Sequence, residues 1–364
     1  MQTFLNRRKF LNTLTQGLAA GVTAAGLPLA RGAESTKPKI KVGQIGTGHA
    51  HATKLEVYRQ SPDYEVVGVV EPDEQSRKNA ATKPAYRDLP WLTEEQLLNT
   101  AGLQVVLVET QVRDSLNTAE RCTAAGKHVH LDKPAGESLP QYRKILALAE
   151  QKKLMVQMGY MFRYNPAFIM LRQFLRDGWL GEIFEVHTVM SKVVSAGDRR
   201  GLAQYPGGIM FELGCHVIDQ VIQVLGAPDR VQSFARHSAA EINDGLVDNM
   251  LAVCEYPRAL ATVKSSAIEY DGGARRQFTV CGRLGTFHIQ TLDGPTINFV
   301  LDRDRGEYKK GKTQIHIGGF PRYVGDAADM AKVIREEKAC DFSYQHDLTV
   351  QETVLRASGV AIDR

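Results

Sequence analysis

The spacing of apolar positions changes character near residue 155. Before that point, short apolar runs alternate with segments of helical spacing. Ile40–Ile45 is the first run, and His51–Gln60 follows with Leu55 and Tyr58 on one side. The valine-rich stretch Glu65–Val70 predicts a second strand, Leu103–Val108 a third and His128–Leu131 a fourth. Between them, Thr93-Glu94-Glu95-Gln96 is a capping-box signature opening a helix to Leu98. Ser115–Ala125 predicts a longer helix closed by Gly126. Strands that alternate with helices pair in parallel through crossovers, so the pattern predicts a doubly wound, Rossmann-type sheet over residues 37–158.

After residue 155 the strands follow one another instead. A helix follows Pro166, Ile183–Val194 is a long strand, and Gly208–Val224 is strongly helical. The runs Arg230–Ala235, Met250–Tyr256, Ala259–Ala267, Gln277–Cys281 and Thr286–Gln290 come next. Short turns join some of them, Tyr256-Pro257-Arg258 and Gly282-Arg283-Leu284-Gly285, which predicts an open, mostly antiparallel sheet. Helices over Gly325–Lys338 and Asp347–Ala357 end the chain. The expected fold class is α/β, with an N-terminal Rossmann domain and an α+β domain over residues 159–364.

Residues 1–32 are set apart from both. Asn6-Arg7-Arg8-Lys9-Phe10-Leu11 resembles a twin-arginine export signal, and Leu14–Ala30 is a weakly apolar, Gly- and Ala-rich stretch. Ala30-Arg31-Gly32 is a poor cleavage site. An exported, periplasmic or extracytoplasmic location is the expectation. The segment also explains the net charge of +4: its four basic residues have no acidic counterpart, and without them basic and acidic residues balance at 41 each. A neutral body gives no electrostatic case for a nucleic-acid partner. Nothing after the signal is long and apolar enough to span a membrane. The five cysteines, Cys122, Cys215, Cys254, Cys281 and Cys340, are too scattered for a disulfide framework or a zinc cluster.

Candidate chemistry gathers where the predicted parallel strands end. Gly46-Thr47-Gly48, followed by His49, leaves the first strand where a dinucleotide fold brings pyrophosphate to the backbone. The third fingerprint position holds His51 instead of Gly or Ala. Glu71 ends the second strand about 25 residues on, where a carboxylate can accept both ribose hydroxyls and repel a 2′-phosphate. That favours NAD over NADP. Glu109 and Thr110 follow the third strand at the same edge, and Asp132-Lys133-Pro134 follows the fourth. There Lys133 can reach both a nicotinamide ring and a substrate hydroxyl. Alternatively it is a surface lysine before a turn.

A second cluster lies on the helix after Gly208. Glu212, His216 and Asp219 at i, i+4 and i+7 would share one face, a histidine flanked by carboxylates able to take an alcohol proton. The plainer reading is a buried histidine satisfied by Glu212. Glu212 and His216 have metal-ligand spacing, but no third ligand is identifiable, so no metal is expected.

These motifs resemble the Gfo/Idh/MocA family of oxidoreductases. The likeness rests on Gly46-Thr47-Gly48, on Asp132-Lys133-Pro134 in place of Glu-Lys-Pro, and on Gly159-Tyr160-Met161-Phe162-Arg163-Tyr164-Asn165-Pro166 at the domain crossing. Glu212-x-Gly214-x-His216-x-x-Asp219 stands in place of Asp-x-Gly-x-His-x-x-Asp. The resemblance implies Lys133 on cofactor and substrate, His216 as acid/base assisted by Glu212, and Arg163, Asn165 and Asp219 near the substrate. It implies hydride transfer to or from a sugar, cyclitol or related polyol, and an open sheet through which copies associate. An export signal adds the expectation of a tightly held cofactor. Two other readings remain open: an NAD-assisted glycoside hydrolase working by transient oxidation and elimination, and a non-catalytic nucleotide-bound binding protein.

Overall fold

The computed structural model describes residues 37–362, so the proposed export signal lies outside the described residues. Five strands form the first sheet: β1 (Ile40–Ile45), β2 (Tyr64–Val70), β3 (Leu103–Val108), β4 (His128–Leu131) and β5 (Val156–Met158). They lie in the order β2-β1-β3-β4-β5, every neighbouring pair parallel. The valines and isoleucines of β1 and β3 are almost wholly buried, as a sheet covered on both faces requires. Covering helices include α1 (Leu55–Gln60), α2 (Glu74–Ala81), α3 (Glu94–Leu98), α4 (Val112–Ala124) and α5 (Leu139–Gln151). Thr93 caps α3 with the predicted capping box, its side chain accepting from Gln96 N while the Gln96 side chain accepts from Thr93 N.

α6 (Pro166–Arg176) leads into the second sheet, whose strands are β6 (Ile183–Ser191), β7 (Arg230–Arg236), β8 (Asn249–Glu255), β9 (Leu260–Ser266), β10 (Gln277–Gly282), β11 (Gly285–Gln290), β12 (Thr296–Leu301) and β13 (Gly311–His316). Their order is β13-β12-β11-β10-β6-β9-β8-β7, and only the β6–β9 pair is parallel. Alternate residues of β8 to β12 are buried on the face toward the helices. Among the described residues the opposite face is uncovered, with Leu260 and Val300 exposed there. The hairpin β12–β13 continues the antiparallel pattern beyond the five strand-like runs that the sequence shows.

Three elements lie between these: α7 (Ala196–Leu202), a π-helical turn over Met210–Gly214, and α8 (Cys215–Leu225), which continues from that turn. The predicted single helix is therefore interrupted. A Cβ at Gly214 would stand 2.4 Å from Met210 Sδ, so a larger residue there would have to push the Met210 side chain aside.

The last two helices, α9 (Val324–Ile334) and α10 (Tyr344–Ala357), change the domain picture. Ala327, Met330 and Ala331 of α9 belong to the same apolar cluster as Ile40, Val42, Tyr58, Tyr64 and Val105. Tyr64 Oη donates to Ala327 O at 2.8 Å. On α10, Gln351 binds the loop after β4, accepting from Ala135 N and donating to Gly136 O. The segment expected to lie wholly in the second domain thus returns to finish the first.

Candidate active site

Every strand of the first sheet ends at one edge, and the loops there build the site. At Gly46 the backbone turns with φ +89°, and a Cβ would meet the Thr110 backbone at 2.6 Å, so no other residue makes this turn unstrained. A crevice of ≈ 950 Å³ lies over the turn, lined by Gly46, Gly48, Glu71, Arg77, Trp91 and Thr110 among others. A second, of ≈ 380 Å³, is lined by Gly48, His49, Gln111, Arg113, Lys192 and Glu212 among others. Gly48 and Gln111 belong to both, so the two crevices meet over the glycine turn.

The expected helix after the turn is weaker than its spacing suggests. Ala52–Lys54 is a 3₁₀ turn and α1 adds only six residues. The cause is Lys54, which is drawn inward: its Nζ lies 2.5 Å from Asp132 Oδ2, 3.1 Å from Glu109 Oε1 and 3.0 Å from His130 Nε2. The ring of Tyr323 lies 4.7 Å from the same ammonium. At this edge the crevice therefore meets the glycine turn rather than the end of a regular helix.

Glu71 ends β2 as expected, with its carboxylate turned onto the turn itself. Its Oε2 accepts from Thr47 N at 2.8 Å and Thr47 Oγ1 at 2.7 Å, and its Oε1 accepts from Asp73 N at 3.2 Å. Thr47 thus spends its polar atoms on Glu71. Glu109, expected at the cofactor, lines neither crevice. It is wholly buried beneath the turn, its backbone oxygen accepting from His49 N at 3.0 Å. Its carboxylate faces Lys54 and, at 3.7 Å, His49, without a well-directed hydrogen bond. Burial pushes this carboxyl up to about 8, with Asp132 adding to the shift and Lys54 opposing it.

His49 bridges the buried acids and the crevice. Its Nδ1 is 3.0 Å from Asp132 Oδ2 and its Nε2 is 3.0 Å from Lys133 O. Burial disfavours its charge, but Asp132 and Glu109 outweigh that and hold the imidazole's proton affinity above the usual value. Asp132 is itself held well below the carboxylate range: burial opposes this, and His49 and Lys54 override it.

Lys133 lies nearly buried between the two domains. Its Nζ donates to Glu212 Oε1 at 2.9 Å and to Glu212 O at 2.8 Å. Burial would strip the proton from this amine, yet Glu212 more than compensates and keeps it charged. Glu212 comes from the π turn, where hydrogen bonds close five residues on rather than four. It is therefore not stacked over His216, and the expected pairing of these two is replaced by Glu212–Lys133.

His216 is buried among Tyr160, Phe162 and His51, with ring centroids 6.4, 5.9 and 5.9 Å away. Its Nδ1 has no hydrogen-bond partner among the described residues. Burial, with Lys133 and His51 nearby, holds it neutral well below the usual histidine range. The carboxylates expected to flank it point elsewhere.

The residues expected at the substrate sit deeper than expected. Arg163 Nη2 lies 2.6 Å from Asp219 Oδ1 and 2.5 Å from Asp347 Oδ1, all three buried. Asp219 also accepts from Gln220 Nε2 at 2.7 Å and lies 3.1 Å from His346 Nε2. Asn165 caps α6, accepting from Ala167 N at 2.9 Å, and donates to Leu292 O. None of the three lines either crevice, because each has its polar atoms consumed by neighbouring elements.

Sequence reasoning did not single out Lys54, His51 as a neighbour of His216, or His130. Lys54 had a legible signal. It stands four residues before Tyr58, a cation on the apolar face of the expected helix. Among the described residues, two groups of possible metal ligands occur, His49-His51-Asp132 and Asp219-His346-Asp347. Each already holds a cation, Lys54 or Arg163, against its acid.

Comparison with known proteins gives the same frame. Residues 40–160 match the oxidoreductase family with an NAD-binding Rossmann fold, and residues 168–288 match the GFO/IDH/MocA C-terminal domain. An uncharacterized oxidoreductase, YhhX, of Escherichia coli is 29% identical over 273 residues, 74% of this chain and 76% of its own. A scyllo-inositol 2-dehydrogenase (NADP(+)), IolW, of Bacillus subtilis is 23% identical over 265 residues, 70% of each chain. Among solved structures, GenD2 from gentamicin A biosynthesis in complex with NAD superposes with a TM-score of 0.72 at 20% identity, over 93% of this chain and 97% of that one. At that identity the likeness speaks for the fold.

Proposed function

The chain belongs to the Gfo/Idh/MocA family of NAD-binding oxidoreductases, and from that premise we propose that it transfers hydride to or from a sugar, cyclitol or related polyol. One observation carries the reading. Lys133 and His216 come from different domains, yet both stand behind the smaller crevice: Lys133 Nζ holds Glu212, which lines it, at 2.9 Å, and the His216 ring lies 5.9 Å from that of His51.

The turn fits a dinucleotide. Gly46 lets the turn close against the Thr110 backbone, and Gly48 joins the longer crevice to the one that Glu212 lines. With Gly46 N bound to Val70 O and Thr47 N to Glu71, the Gly48 amide would carry the pyrophosphate, and Glu71 the ribose hydroxyls. His49 would lie where the two crevices meet. A bound nicotinamide would supply the hydride acceptor or donor. The acid at the end of β2 supports NAD over NADP.

The chain's own groups would manage charge and protons. Lys133, held cationic by Glu212, would donate to the substrate oxygen and stabilise negative charge as it develops there. His216, held neutral by burial, would accept the hydroxyl proton as the alcohol becomes a carbonyl, and return it in reduction. Water is kept from this corner by the aromatic wall of Tyr160 and Phe162. The twin-arginine-like segment supports a location outside the cytoplasm, where a nucleotide held through many turnovers is an advantage.

The test is direct. Freshly purified protein is denatured and the released nucleotide identified by mass spectrometry, while native protein is offered a panel of sugars and polyols and followed at the nicotinamide absorbance. Released NAD together with reduction by a polyol is the expected result. Protein that carries no nucleotide, and that reduces neither added NAD nor NADP with any compound, would remove the reading. Phenol release from an aryl glycoside without net reduction would favour the hydrolase instead.

A further inference from the structure

We infer that the substrate carries an anionic group, as a sugar acid or sugar phosphate does, and that Lys192 and Arg113 receive it. This rests on the reading of the crevice as the substrate site and names the class of compound that enters it.

The argument begins with Lys192, which leaves β6 with its backbone fixed, its N–H donating to Ser266 O at 3.0 Å. The side chain lines the smaller crevice and is half-buried. Its amine has no hydrogen-bond or ion-pair partner among the described residues. Four charged groups face it: Glu212, Lys133, Arg276 and Asp198. Glu212 is already bound to Lys133 at 2.9 Å. Arg276 is turned away onto Asp293 at 2.6 Å. Asp198 accepts the Ser195 hydroxyl at 2.7 Å in the first turn of α7. Burial depresses the proton affinity of Lys192, which shows the cost of holding this cation uncompensated.

Arg113 stands across the same crevice, in the first turn of α4. Its guanidinium donates to the neutral Gln204 side-chain oxygen and lies 6.0 Å from the ring of Tyr205. Glu137 lies within electrostatic reach but forms no ion pair with it. The crevice therefore presents two cations neither of which holds a carboxylate at ion-pair distance, although Asp198 and the Lys133-bound Glu212 line it too. A neutral polyol would leave both cations without an ion pair. An anion would give each a charge-assisted hydrogen bond, roughly twice as strong as a neutral one.

The NAD-loaded protein is titrated calorimetrically with glucose, galactose and mannose, then with their uronates and 6-phosphates. At least one anionic series should bind about 10- to 100-fold tighter than its neutral parents. A preference for uronates identifies a carboxylate, and a preference for 6-phosphates a phosphate. Lys192→Met should bring the ratio of anion to parent affinity close to one, and Lys192→Arg should keep it. If thermal melting shows Lys192→Met to be unfolded, Arg113→Gln should lower the ratio in the same direction. Parents that bind as tightly as the anions, a ratio that survives Lys192→Met, or no binding by any of the nine compounds would each overturn the inference. Nicotinamide absorbance separates this from the oxidoreductase reading. Anion preference without hydride transfer leaves the inference standing and sinks the other, and equal oxidation of neutral and acidic sugars does the reverse.

Discussion

Two buried ionic clusters lie at this domain junction, and they are finished in opposite ways. Around Arg163, the guanidinium meets both Asp219 and Asp347, and Asp219 also takes Gln220 and His346. This binds the turn before α6 to α8 and α10. Around Asp132, by contrast, Lys54 and His49 crowd a pair of acids of which one, Glu109, has no well-directed hydrogen bond. A few ångströms on, His216 Nδ1 is likewise unpartnered. The first cluster is saturated and suited to holding shape. The second keeps unspent hydrogen-bonding and protonation capacity next to an open crevice, which is what chemistry needs and stability does not.

The contrast breaks most visibly at His216. His216→Asn should lower turnover by about 10²- to 10⁴-fold, the usual worth of a general acid/base. It should lower the urea midpoint less than Arg163→Met does, since Nδ1 makes no hydrogen bond to lose and the cost is one of packing. A large loss of stability with activity intact would place His216 among the structural residues. Arg163→Met should do the opposite, costing about 3–5 kcal/mol of stability by leaving two acids buried and unpaired. Equilibrium denaturation reads this, and a melting curve like the parent's would show that the cluster holds nothing together.

The finest test concerns the slope of stability with pH. Burial raises the folded Glu109 carboxyl from 4.5 to about 8. The folded protein therefore keeps this proton after the unfolded chain has released it. The associated stability is full below pH 4.5 and is lost as pH rises through 8. His49, raised from 6.5 chiefly through Asp132 against its own burial, adds a slope of the same sign above that pH. Glu109→Gln should flatten the urea midpoint between pH 5 and 8. An unchanged slope would assign it to His49 and the other buried groups.

Much of the fold was legible because its signals are periodic. β1, β3 and β4 have the expected limits, Ile40–Ile45, Leu103–Val108 and His128–Leu131, since buried parallel strands are short unbroken apolar runs. α5 escaped notice despite Ser138 as its cap and Tyr142, Ile145, Leu146 and Ala149 at helical spacing. The site was legible by type and edge but less so by partner. Lys133 stands at the strand end where a loop motif puts it. The partner of Glu212 depends on one π turn, and no i, i+4 count registers an extra residue of winding. Arg163 and Asp219 belong to one cluster because the turn before α6 packs against α8, a tertiary fact that spacing along either segment does not carry.

The return of α9 to the first sheet has a consequence for how the chain is made. Met330 alone, fully buried against the first domain, contributes on the order of 1.5–3 kcal/mol to a core whose members outside α9 lie between Ile40 and Met155. A ribosome delivers those early strands long before the helix that seals them. The nascent nucleotide-binding half must therefore wait, part of its apolar back exposed, until the final stretch of polypeptide emerges. Removing the last forty residues should thus unseal both halves at once, taking α9 from the first sheet and α10 from α8 and β7.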